Sequence, residues 1–140
     1  MCFQSIYQII TTGHWITDQV SKELKEFEIT EPQFNVLRIL KGTKGEPISV
    51  LKILENMVQR SSNVTRIIDK LLSKGYVERK ECPVNRRKMD ITITDSGLEI
   101  LKLLDKKVIA LHQSLMENLD EEELEILKNL IMKLKRNNND

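Results

Sequence analysis

The stretch RSSNVTRIIDKLLSKGYVERKECPVNRRKMDITITDSG, running from Arg60 to Gly97, decides how the chain folds. In its first half Val64, Ile67, Ile68, Leu71 and Leu72 recur at helical spacing and fall on one face. Ser62, Thr65, Arg66 and Asp69 share another face, with Asn63 at its edge. Ser61 reads as the cap of this helix and Gly75 as its stop. From Tyr76 to Lys80 the chain suits a short strand, and MDITIT alternates Met89, Ile91 and Ile93 with polar residues as a half-buried strand does. Pro83 and Asn85 mark the turn between the two strands. A hairpin therefore begins directly after a helix.

Charge gathers on the same stretch. Between Arg60 and Asp90 there are nine Lys and Arg residues against four Asp and Glu, a net of +5. The whole chain is only +1, so the remainder carries −4. A local basic patch on a nearly neutral protein is the electrostatic footprint of nucleic-acid binding, though a solvated face of mixed charge has the same composition.

Outward from this centre, helices precede and follow. Ile6, Ile10, Ile16, Val20 and Leu24 give an amphipathic helix from Phe3 to about Glu26. Thr30 and Gln33 form a capping box for the next helix, Pro32 occupies its first turn and Gly42 ends it. GTKGEP is a loop, and SVLKILENM is a short helix capped by Ser49. Beyond the hairpin, Thr94 caps a long helix with Leu98, Leu101, Leu104, Val108, Leu111, Leu115 and Leu119 along one stripe. Asp120 and Glu123 make a second capping box, and Leu124, Leu127, Ile131 and Leu134 follow it.

Helix, helix, helix, hairpin is the order of a winged helix-turn-helix. The expected architecture is mainly α: one domain over residues 1–140, with a winged helix-turn-helix at 30–94 and flanking N- and C-terminal dimerisation helices at 3–28 and 95–136. In such a motif the helix after Arg60 offers its N-terminal residues to a DNA major groove. Small hydroxyl residues allow close approach; Ser61, Ser62, Asn63 and Thr65 are hydrogen-bonding types suited to base edges or phosphates. Arg66 suits a bidentate contact to guanine, and Arg60 lies just ahead of the helix. At the hairpin tip Arg86, Arg87 and Lys88 place three cations where a minor groove would attract them.

The run SSNVTRIIDKLLSKGYVERK, followed by NRR and then ITDSG, resembles the MarR (multiple antibiotic resistance regulator) family of bacterial transcription factors, and the likeness extends over nearly the whole chain. The resemblance implies a homodimer in which the first and last helices pair. It also implies double-stranded DNA with a pseudo-palindromic operator as partner, and a repressor released by a small phenolic ligand or by oxidation. In three places the chain departs from the pattern. Asn85 stands where the family carries Asp before the arginines; it keeps the hydrogen-bonding capacity to fix an Arg but not the charge. Leu51 and Leu54 make the short third helix unusually apolar, so that Leu54 either repacks the core or lines an effector pocket or partner surface. Neither Cys2 nor Cys82 matches a family redox sensor; Cys82, near Arg79 and Lys80, is either a reactive thiol or a bland exposed one.

Effectors of this family bind near the first helix, which gives His14 and Trp15 two readings: a polar handle and aromatic wall for a ligand, or a pair at the dimer interface. The two cysteines, far apart and without His at ligand spacing, point to a reducing cytoplasm and to no disulfide or metal site. Met1 to Thr17 has no charged residue, yet its polar interruptions suit neither a signal peptide nor a membrane span. No catalytic arrangement, phosphate-binding loop or cofactor motif stands out, so a non-enzymatic regulator is expected. The alternative from another class is a winged-helix protein-interaction module with little DNA specificity.

Overall fold

Thr30 and Gln33 show how closely local chemistry sets the elements. The Thr30 side chain accepts from the Gln33 backbone N–H at 3.4 Å, and the Gln33 side chain accepts from the Thr30 N–H at 3.1 Å. That reciprocal box starts α2 (Glu31–Gly42). The computed structural model describes residues 1–60, 63–85 and 87–136. Within them α1 spans Cys2–Lys25, α3 Val50–Asn56, α4 Val64–Ser73, α5 Asp95–Met116 and α6 Glu121–Arg136; the strands are β1 (Ile48–Ser49), β2 (Val77–Glu81) and β3 (Met89–Ile93). The backbone divides into two compact units, Met1–Val108 and Ile109–Asp140.

In the first unit the core is built on α2. Val36, Leu37 and Leu40 are fully buried, with Leu24 of α1, Ile53 of α3, Ile68 and Leu71 of α4, Ile91 of β3 and Leu101 and Leu104 of α5. Each such side chain contributes roughly 1.5–3 kcal/mol by leaving water. The sheet is antiparallel in the order β1-β3-β2. β3 pairs with β2 from Val77↔Ile93 to Glu81↔Met89, and with β1 through Ile48↔Ile91 and Ser49↔Asp90. β1 was not expected. Its two residues carry no alternation to detect, and their partners lie some forty residues on.

α4 begins later than the polar run suggested. Its first helical residue is Val64 with Asn63 at the cap position, whereas the expected cap, Ser61, lies outside the described residues together with Ser62. Its end follows a Schellman pattern: Tyr76 N–H donates to Leu71 O at 3.0 Å and Gly75 N–H to Leu72 O at 3.0 Å. Gly75 takes the required left-handed φ of 75°.

That turn docks on the start of α5. Thr94 Oγ1 donates to Gly75 O at 2.7 Å and accepts from Gly97 N–H at 3.0 Å, so Thr94 caps α5 while holding the end of α4. A Cβ on Gly97 would lie 2.1 Å from Tyr76 O, which explains the glycine in ITDSG. Within the same unit Asp105 of α5 faces Lys41 at 3.1 Å and Arg38 at 3.9 Å.

In the second unit Asp120 and Glu123 form the expected box, at 3.0 and 2.8 Å, and start α6. α6 buries no residue: Leu127, Leu130, Ile131 and Leu134 are all exposed.

Candidate nucleic-acid interface

Burial of one face of α4 sets the direction of the other. Val64, Ile68 and Leu71 go into the core, leaving Thr65, Arg66, Asp69 and Lys70 exposed, with Asn63 and Arg60 exposed ahead of them. Thr65 and Arg66 lie in the first turn of the helix, where the positive end of the helix dipole attracts anions. The turn before α4 is tied to α2 by the Val58 N–H, which donates to Asn35 Oδ1 at 2.9 Å. At the far end Lys74 Nζ donates to the carbonyl of Glu28.

β2 and β3 form the wing. Its tip is closed by three hydrogen bonds: Cys82 N–H to Lys88 O at 3.0 Å, Lys88 N–H to Asn85 O at 2.9 Å, and Arg87 N–H to Asn85 Oδ1 at 3.1 Å. Asn85 therefore does fix an arginine, through the backbone N–H of Arg87. Arg87 and Lys88 are exposed, and Arg86 lies outside the described residues.

One residue pair has no signature in the sequence pattern. Arg79 on β2 pairs with Asp69 on the outward face of α4, with Nη2 to Oδ1 at 2.6 Å. Two opposite charges flank the Gly75 turn, but a ten-residue separation has no fixed geometry until that turn is known.

The other candidates are placed separately. Trp15 is exposed and lines an open trough of about 510 Å³ on α1 with Asp18, Gln19, Ser21, Lys22 and Lys25; His14 is exposed and outside that lining. On α3, Ile53 is buried, Leu54 half-buried and Leu51 exposed, so Leu54 contributes only partly to the core. Cys2 is exposed and Cys82 half-buried, both as free thiols. Among the described residues no cluster of His, Cys, Asp and Glu could hold a metal ion, and no helix is long and apolar enough to cross a membrane.

An α2–α3–α4 core followed by the β2–β3 wing, which β1 extends to a three-stranded antiparallel sheet, with an exposed polar face on α4 beside a cationic hairpin, defines a winged helix-turn-helix protein. The MarR family profile matches residues 29–89, the motif together with most of the wing. An HTH-type transcriptional regulator of Bacillus subtilis, YdgG, is 32% identical over 113 residues, covering 77% of this chain and 73% of that one. The chain belongs to the MarR family of DNA-binding transcriptional regulators. The multiple antibiotic resistance protein MarR of Escherichia coli is 29% identical over 136 residues, covering 91% of this chain and 92% of that one. A MarR-like transcription regulator from Bacillus cereus superimposes with a TM-score of 0.88 at 27% identity, over 99% of each chain.

Proposed function

We propose that the chain acts as a homodimeric, sequence-specific repressor that binds a pseudo-palindromic operator and is released by a small ligand or a stress signal. The observation that carries this reading is the outward face of α4, where Arg66 and Thr65 stand exposed in the first turn while Val64, Ile68 and Leu71 anchor the helix below. Arg66 is assigned to a guanine edge, and Asn63 and Thr65 to base edges or phosphates. Arg60, Arg87 and Lys88 are assigned to phosphates and the minor groove. Ser61, Ser62 and Arg86 join them on the sequence pattern alone.

Dimerisation rests on apolar side chains left in water. In the first unit Phe3, Ile6, Tyr7, Ile9 and Ile10 of α1 are exposed; in the second, Ile126, Leu127, Leu130 and Ile131 of α6 are exposed. Stripes of this length are aggregation hazards unless another chain covers them, and obligate interfaces of this kind bury more than ~2,000 Å². The trough beside Trp15 offers an effector an aromatic wall, with Lys22 and Lys25 as cationic partners. The proposed site of action is the cytoplasm.

The test is selection of genomic fragments on the purified protein, followed by sequencing and gel shift. The expected result is a pseudo-palindrome whose half-site centres lie roughly one helical turn, ~34 Å, apart. Retention of no sequence class would overturn this reading in favour of a winged helix that binds protein.

A further inference from the structure

An apolar residue stands at the tip of the cationic wing. Val84 is 95% exposed, between exposed Pro83 and Asn85, with Arg87 and Lys88 close behind it in the chain. The turn that carries it is not loose. Hydrogen bonds join Cys82 to Lys88, Lys88 to Asn85 and Arg87 to Asn85 across it. Pro83 has a ring-fixed φ and Val84 a stiff, β-branched χ1, so little freedom is left for a partner to remove. The chain thus presents a small apolar knob on a narrow, positively charged turn.

The partner that fits this shape is a floor without polar projections between two rows of phosphates. The minor groove, about 6 Å wide, admits a single turn and excludes a helix. Over A·T pairs its floor lacks donors. Over G·C pairs the guanine N2 amino group projects into it, and an apolar side chain would crowd that group and leave it without a hydrogen-bond partner. We propose that Val84 is a specificity-determining residue that lies in the minor groove flanking each half-site and excludes G·C pairs there, while Arg87 and Lys88 hold the bordering phosphates. The assignment rests on the reading of the chain as a DNA-binding dimer.

The experiment uses operator duplexes recovered from the genomic selection and resynthesised with A·T, I·C or G·C pairs at the flanks. Inosine·cytosine has the major-groove face of G·C but, lacking the N2 amino group, a minor groove like that of A·T. Wild-type protein should bind the A·T and I·C duplexes alike and the G·C duplex about tenfold more weakly, the scale of a single mismatched pair. In Val84→Ala the discrimination should shrink to about twofold. Val84→Thr keeps the shape and adds an oxygen that accepts from the guanine amino group, so it should bind the G·C duplex better than wild type does. An I·C duplex that behaves like G·C, or discrimination unchanged in both variants, would overturn the assignment while leaving the DNA-binding reading intact. Retention of no duplex by the wild-type chain would overturn both.

Discussion

The guanidinium of Arg79, on the first strand of the wing, lies 2.6 Å from the carboxylate of Asp69, on the outward face of α4. Both side chains are partly in water, 35% and 56% exposed, so screening limits the pair to roughly 0.2–1 kcal/mol of stability. Its larger expected role is to hold the angle between the wing and α4. Asp69→Ala removes a negative charge from the surface proposed to face phosphates, which by electrostatics alone should strengthen DNA binding. The expected outcome is the opposite: operator affinity falls about five- to tenfold, equal to roughly 1–1.4 kcal/mol, while urea unfolding shifts by less than about 1 kcal/mol. Gel shift and urea titration of the same variant check it; tighter operator binding would show that the pair has no positioning role.

Gly97→Ala should destabilise the fold by about 1–3 kcal/mol or leave the protein insoluble. Its new methyl would meet the Tyr76 carbonyl at 2.1 Å and Ile93 Cγ1 at 2.7 Å. Neither the carbonyl nor the half-buried Ile93 has room to withdraw, because Thr94 N–H holds the Tyr76 carbonyl at 3.0 Å. Gly42→Ala is the control: its Cβ meets nothing within 4 Å, and the change should be neutral or stabilise by about 0.4–1 kcal/mol. Denaturant midpoints of the two variants should therefore move in different directions or by clearly different amounts.

Replacing Leu127 and Ile131 together with Lys should give monomeric or insoluble protein. Both are exposed on a helix that buries nothing within the chain, so the loss reports on a second copy. Sedimentation at micromolar concentration reads the result, and a wild-type chain that sediments as a monomer would refute the dimer.

Arg66→Ala and Arg87→Ala should separate base reading from phosphate holding. Arg87, in the wing turn, should weaken operator and random DNA alike when removed, and lower the salt slope by about one unit for a lost phosphate contact. Arg66 should cost specific affinity by about 1–3 kcal/mol, with a smaller loss on random DNA. Salt titrations on both duplexes measure this; equal losses for Arg66→Ala with altered base preference for Arg87→Ala would exchange the two roles.

Much of the fold was legible because its signals are local. The Thr30–Gln33 and Asp120–Glu123 boxes, the Ser49 and Thr94 caps and the alternation of Met89, Ile91 and Ile93 each depend on residues within a turn or a strand, and the structure has them all. What was missed is non-local or ambiguous. β1 exists only because β3 has a free edge to pair with. Ser61, Ser62 and Asn63 are all competent caps and composition does not rank them; Ser61 and Ser62 lie outside the described residues, and the helix has Val64, the first of its buried residues, as its first helical position. The Asp69–Arg79 pair depends on the turn at Gly75, and the exposure of Val84 depends on which way the wing tip closes.

β3 is clamped along both edges, by β1 at Ile48 and Ser49 and by β2 from Val77 to Glu81, while the described residues between Cys82 and Lys88 lie beyond the clamp. The hairpin is thus a cantilever with its fixed end in the hydrophobic core. Lengthening or shortening the overhang leaves every rung of the ladder in place, so tip sequence and length are free to vary without cost to the core. Deleting one residue inside β3 is a different event. It would turn Ile91 from the core to the opposite face and shift the seat of Ser49, whose hydroxyl starts α3 by accepting from the Lys52 N–H at 3.2 Å. Insertions at the tip should therefore leave the fold intact, whereas slips at the root should remove Ile91 from the core.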